Sequence, residues 1–183
     1  MLGQLGAETV SADEIVHHLL SEDEEAISRV TERFGEEVRG RRGIDRKALG
    51  RVVFGDPEAL RDLEDILHPL VRRETDRRIA ASEARVFVAE IPLLFEGGRS
   101  GAFDQTVAVT VPDGRRLGWV EERGQDEAAL RAIEARQLSG DEKARLADVV
   151  VENDAGLDKL RRQAEDLLEQ VSGGRGPDGG RRG

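Results

Sequence analysis

The chain has 183 residues, a formal net charge of -10, 38% hydrophobic and 36% charged residues, and no cysteine. That length suits one core with room for a small inserted lobe, and the acidic balance excludes a general nucleic-acid binder, which needs a basic face against phosphates. Disulfides, thiol nucleophiles and cysteine metal sites are excluded, three histidines (His17, His18, His68) are too few for a histidine-rich metal cluster, and no apolar run nears the ~20 residues of a membrane span.

The first residues lack the basic-then-apolar signature of a secretory signal, and the chain reads as cytoplasmic. Met1 to Leu5 reads as the last turn of a helix, Gly6 as its stop, and Glu8-Thr9-Val10 as a short strand. A domain seldom begins on a closing helical turn, so the expectation is a segment missing in front. Ser11-Ala12-Asp13 then opens a helix whose apolar face is Ile15, Val16, Leu19 and Leu20. A second helix runs roughly from Asp23 to Phe34, where Gly35 stops it. After a basic turn from Gly40 to Gly43, Asp45 caps a helix bearing Leu49, Val52, Val53 and Phe54. Asp56-Pro57 is a cap followed by proline at the first helical position. Leu60, Leu63, Leu67, Leu70, Val71 and Ile79 keep a helical period, with a kink or break expected at His68-Pro69.

Val86 to Ala89 is a short apolar run followed by Glu90, Pro92 and Glu96. It suits a strand buried on both faces that delivers carboxylates to its carboxyl end, where ligands bind in open α/β sheets. A glycine-bearing loop, Gly97 to Gly101, leads to a β-branched strand from Thr106 to Val111, and Pro112-Asp113 begins the next helix. Leu117 to Arg123 and Glu127 to Arg136 read as helical, Val149-Val150-Val151 as another buried strand, and Asp158 to Val171 as a closing amphipathic helix. Strands alternating with helices make an α/β fold with a parallel sheet. Residues 1–171 form a single domain, with a helical lobe at about 14–81 and a lid at about 113–146; the glycine- and arginine-rich residues 172–183 read as a disordered tail.

Asp13, just past a strand end, either caps the helix, accepts a proton from a substrate hydroxyl or sits near a magnesium ion. Asp45-Arg46-Lys47 sets two cations at a helix N-terminus, which suits an anion or simply a solvated face. His68-Pro69 reads as a buried kink with a satisfied imidazole. Glu90 and Glu96 face magnesium or are plain loop acids. Arg123, Arg131, Arg136, Lys143 and Arg145 crowd a stretch that reads as a lid over phosphates or as a salt-bridged surface.

It is the order of these pieces that is specific. Gly43-Ile44-Asp45-Arg46-x-x-Leu49, Val53-Phe54, Leu63-Glu64-x-Ile66-Leu67-His68-Pro69 and Ile91-Pro92-Leu93-Leu94-Phe95-Glu96 follow one another. Gln137, Lys143, Ala147-Asp148-Val149-Val150 and Asn153 ahead of Gly156 come after them. Together with Val10-Ser11-Ala12-Asp13 this string resembles the dephospho-coenzyme A kinase family, over nearly all of residues 1–171.

The resemblance implies a P-loop NTPase-like, three-layer parallel sheet with an inserted helical substrate lobe and a lid. The implied reaction moves the γ-phosphate of ATP, with Mg²⁺, to the ribose 3′-hydroxyl of dephospho-coenzyme A. This is the last step in making coenzyme A. Asp13 then corresponds to the general base or substrate-orienting acid. Asp45, Arg46 and His68 fall in the lobe that receives the coenzyme, Arg123 and Arg136 fall in the lid, and Glu90 and Glu96 are possible magnesium-facing acids. The implied partners are small molecules, without nucleic acid or membrane.

The largest departure is that no G-x-x-x-x-G-K-[ST] string occurs. The first strand and phosphate loop are therefore expected to be missing, and Val86 to Glu96 to lie beside a strand these residues do not contain. Either Met1 is an internal methionine with the loop encoded upstream, or the chain is a truncated relative. As given, it is expected to bind ATP poorly and turn over negligibly. Ser11 stands where many relatives carry an acid, Trp119 where arginine is expected, and Arg123 to Gln137 is about one residue short. Two other readings stay open: an inactive paralogue that binds coenzyme A or a partner, and a nucleoside or nucleotide kinase of the P-loop class.

Overall fold

A computed structural model describes residues 1–112 and 137–173. The chain divides into two compact units, Glu8–Ile91 on one hand and Met1–Ala7 with the residues from Pro92 onward on the other.

In the first unit, strand β1 (Glu8–Ser11) is followed by helices α1 (Ala12–Glu22), α2 (Glu24–Phe34), α3 (Arg46–Val53) and α4 (Pro57–Ala81), then strand β2 (Phe87–Glu90). Each helix begins on a side chain that accepts a backbone N–H left open by helix geometry. Ser11 accepts from Asp13, Asp23 from Ala26, Asp45 from Lys47 and Ala48, and Asp56 from Glu58 and Ala59. β1 and β2 run parallel, with Glu8 opposite Phe87 and Ser11 opposite Glu90.

Two hydrophobic clusters hold this unit. One gathers Leu20, Val30, Phe34, Val38, Ile44, Leu49, Ala59 and Leu67; the other gathers Val10, Ile15, Leu19, Ala26 and Leu70. Helix α4 feeds both, and it runs unbroken through Pro69, so the expected break does not occur. Proline removes one intrahelical hydrogen bond, but Leu67 and Leu70 on either side are buried in the two clusters and hold the helix in register.

In the second unit, Leu2–Leu5 forms a 3₁₀ turn ended by Gly6 at φ 100°, the left-handed stop anticipated there. Strand β3 (Val107–Thr110), helix α5 (Gly140–Leu146), strand β4 (Val149–Glu152) and helix α6 (Leu157–Ser172) follow. β3 and β4 are parallel, with Val107 opposite Val149 and Thr110 opposite Glu152. Among the described residues the strands therefore pair in parallel, as predicted, in two separate two-stranded ladders.

Burial differs from the expectation of strands covered on both faces. Phe87, Val88 and Ala89 are only half-buried, and of the three valines in β4 only Val151 is buried. A strand with one hydrogen-bonded neighbour has half its flank open, whatever its hydrophobicity. The expected lid helices at 117–123 and 127–136, with Arg123, Arg131 and Arg136, lie outside the described residues, as do residues 174–183 of the expected tail.

Candidate active site

Parallel strands present their carboxyl ends together, and in the first unit those ends are Ser11 and Glu90, in register. Asp13 sits two residues beyond Ser11, in the first turn of α1. The cap of α1 is Ser11, whose Oγ accepts the Asp13 N–H at 3.3 Å. The Asp13 carboxylate is thus spared from capping, is exposed, and has no hydrogen-bond or ion-pair partner among the described residues. Glu90 is likewise exposed, without a partner among them. The result is two unspent carboxylates and a hydroxyl at one end of a parallel strand pair.

Asp45 is placed differently. Its Oδ1 accepts Lys47 N–H at 2.9 Å and Ala48 N–H at 3.2 Å, closing the start of α3. Those two bonds, the Ala48 one foremost, hold its carboxyl below the usual carboxylate range. Asp45 therefore fixes where α3 begins, and with it Arg46.

The turn ahead of α3 is set by Gly43, at φ 73°. A Cβ there would lie 2.2 Å from Leu20 O and 2.7 Å from Ser21 Cα, so only glycine lets the turn close on the end of α1. Ile44 N–H donates to Leu20 O at 2.7 Å, and Asp45 N–H to Val38 O at 2.8 Å. Pinned in this way, Arg46 reaches α1, with Nη1 3.5 Å from His17 Nδ1.

His68, expected at a buried kink or in contact with ligand, is exposed on unbroken α4, without a hydrogen bond among the described residues.

Glu96 lies in the second unit, in a knot of its own. Its Oε1 accepts Leu138 N–H at 3.0 Å and lies 3.1 Å from Lys143 Nζ, which also donates to Pro92 O at 2.9 Å. Burial works against the charged form of Glu96. Its own and the Leu138 backbone N–H, with Lys143, outweigh burial and hold the carboxyl below its ordinary value. A carboxylate so engaged ties the Pro92–Glu96 loop to the start of α5.

His17 was not singled out from sequence, although its spacing from Asp13 is a legible sign: residues four apart share a helix face. The Glu96–Lys143 pair carried no such sign, because it joins residues far apart in the chain.

The parallel strand pairs and the helices between them make an α/β fold consistent with the P-loop NTPase-like class, as the structural likenesses below bear out. The family described as "CoaE: Dephospho-CoA kinase" matches residues 1–159, and the chain belongs to that family. It is similar to the dephospho-CoA kinase of Mesorhizobium japonicum, at 38% identity over 96% of this chain and 90% of the relative. It is also similar to that of Anaeromyxobacter dehalogenans, at 39% identity over 96% of this chain and 86% of the relative. Among solved structures it resembles TT1252 from Thermus thermophilus, at TM-score 0.74 and 35% identity over 92% of this chain and 87% of that one. The dephospho-CoA kinase from Campylobacter jejuni resembles it at TM-score 0.68 and 26% identity, over 95% of this chain and 89% of that one.

Proposed function

We propose that the chain transfers the γ-phosphate of ATP to the ribose 3′-hydroxyl of dephospho-coenzyme A, with Asp13 as the acid that receives the hydroxyl proton. The observation that carries this role is the unspent Asp13 carboxylate one turn into α1, at the carboxyl end of a parallel strand pair. As the 3′-oxygen bonds to the γ-phosphorus, the bond from that phosphorus to the ADP oxygen breaks and the hydroxyl proton passes to Asp13. Arg46 and His68 belong to the lobe that meets the coenzyme, with Asp45 holding Arg46 at the start of α3; Arg123 and Arg136 are proposed to meet phosphate.

Ser11, Asp13 and Glu90 offer only oxygen donors, the type Mg²⁺ takes, and one or two carboxylates completed by substrate phosphates are a common magnesium arrangement. Magnesium bound there would offset phosphate charge during transfer. Glu96, tied to Lys143 and Leu138, is the weaker candidate for that task. A cytoplasmic location goes with this reading. Among the described residues no helix is long and apolar enough to cross a membrane.

The 183 residues include no phosphate-cradling G-x-x-x-x-G-K-[ST] loop, and turnover requires one. The test is ADP release with dephospho-coenzyme A and ATP, measured for the 183-residue chain and for the same chain carrying a family phosphate-loop strand ahead of Met1. Transfer is expected only from the second, and Asp13→Asn in it should cost about 10²- to 10⁴-fold in kcat with folding retained. Equal rates with and without the loop remove the loop from this account, and an unchanged Asp13→Asn rate removes Asp13. Transfer to a plain nucleoside but not to dephospho-coenzyme A reassigns the substrate.

A further inference from the structure

His17 and His18 are neighbours on α1 with opposite surroundings. His18 Nδ1 lies 3.5 Å from the Glu22 carboxylate, one turn along the same helix, an ordinary surface pair. His17 instead meets a guanidinium, with Arg46 Nη1 3.5 Å from its Nδ1, and no carboxylate among the described residues joins the two. Asp45, the acid nearest Arg46 in sequence, has its carboxylate turned to the Lys47 and Ala48 N–H groups.

A guanidinium only donates, so a hydrogen bond in this contact uses Nδ1 as the acceptor and leaves the Nε2 edge of His17 to donate elsewhere. Two exposed donor groups thus stand together without an acid. Such a pair adds little to folding, yet it is built: Gly43, the Ile44–Leu20 bond and the Asp45 cap all act to hold Arg46 against α1. Arginine and imidazole donors brought side by side from two elements suit an anionic group, to which a guanidinium can offer two parallel bonds.

The position of the pair narrows the choice of anion. His17 is four residues from Asp13 on α1 and shares its face, about one helical pitch of ~5.4 Å away. In dephospho-coenzyme A the diphosphate hangs from the 5′ carbon of the ribose that carries the 3′-hydroxyl, only a few bonds away. We propose that His17 and Arg46 form a donor pair that holds this 5′-diphosphate while the 3′-hydroxyl of the same ribose meets Asp13. This rests on the substrate reading given above and extends it to a residue that reading does not use. His17 and Arg46 are positioning residues here: they fix the ribose and take no part in proton transfer.

Calorimetric titration of dephospho-coenzyme A into the 183-residue chain and its variants tests this without requiring turnover. His17→Ala should raise Kd about tenfold, and Arg46→Ala by at least that, the scale of one lost charge-assisted bond. His17→Gln, whose amide nitrogen can stand near the position of Nε2, should recover most of the loss. Both side chains are exposed, so thermal unfolding of the variants should match the unaltered chain. Inorganic pyrophosphate should displace dephospho-coenzyme A from the unaltered chain, and failure to do so overturns the diphosphate assignment. If the unaltered chain binds the coenzyme and His17→Ala binds it equally well, or if His17→Gln is as weak as His17→Ala, this inference falls while the substrate reading stands. No binding by the unaltered chain overturns both.

Discussion

The two units of this chain are held by different physics. Glu8–Ile91 contains both hydrophobic clusters, and its largest fully buried side chains, Ile15, Val30, Val38 and Leu70, are aliphatic. Among the described residues from Pro92 on, only Thr106, Ala108, Val151, Ala164 and Leu167 are buried, while Val109 is 63% and Leu157 75% exposed. What this second unit has instead is polar clasps. Asp148 Oδ2 accepts both the N–H and the hydroxyl of Thr106 at 2.7 Å, joining the starts of β3 and β4. Ser139 and Glu142 close a capping box on α5, Lys159 grips Asp154, and Lys143 ties Glu96 to Pro92. Apolar burial is non-directional and cooperative, whereas hydrogen-bonded clasps are local and respond to pH. The unit carrying Asp13, His17 and Arg46 is therefore the one whose geometry is set by close packing.

The largest effect should come from striking the packed unit. Leu70→Ala removes a fully buried side chain and should cost about 2–5 kcal/mol, read by denaturant unfolding. A loss below about 1 kcal/mol would mean that the packing contrast is not real.

A smaller effect belongs to the clasped unit. Asp148→Asn should cost about 1 kcal/mol at neutral pH, because the Thr106 bonds weaken without being replaced by a void. Those bonds, from the Thr106 hydroxyl first and its N–H second, draw the Asp148 carboxyl below its ordinary 3.8. Its contribution is thus complete above pH 3.8 and fades as pH falls through the lower folded value. Chemical unfolding across acid pH should show a shallower decline for Asp148→Asn than for the parent, and parallel curves would remove Asp148 from the account.

The packed unit has one strongly shifted acid as well. Hydrogen bonding from Arg77, opposed by burial and helped by Arg78, brings Glu74 from 4.5 to about 2. Its contribution is present above pH 4.5 and lost between about 4.5 and 2, so Glu74→Gln should flatten the stability curve across that window. The smallest expected change is Arg73→Ala. Its ion pair with Glu25 at 2.7 Å joins two half-exposed groups screened by water, so a loss as large as that from Asp148→Asn would show that surface charge also binds α4 to α2.

Much of this was legible in the residues themselves, where the chemistry is local. Ser11, Asp45 and Asp56 announce helix starts because a cap needs only a short side chain and an N–H two or three residues on. Gly6 announces a stop for an equally local reason. The readings that failed depend on neighbours brought from elsewhere. Pro69 weakens a helix, and only the clusters around Leu67 and Leu70 decide whether the helix continues. The valines of β4 read as buried, yet burial depends on what covers them. Asp13 reads equally as a cap or as a free acid, and the 3.3 Å contact from Asp13 N–H to Ser11 Oγ gives the cap to Ser11. The Arg46–His17 contact spans 29 residues and exists because the Gly43 turn folds back, which no periodicity encodes.

Helix α4 joins the two clusters as a single rod of 25 residues, and its one missing backbone bond falls at Pro69, between Leu67 in one cluster and Leu70 in the other. A rod is most compliant where its internal bonding is interrupted. Bending strain applied to this unit is therefore concentrated at a seam between two tightly packed clusters. Each cluster can keep its own packing while the angle between them yields.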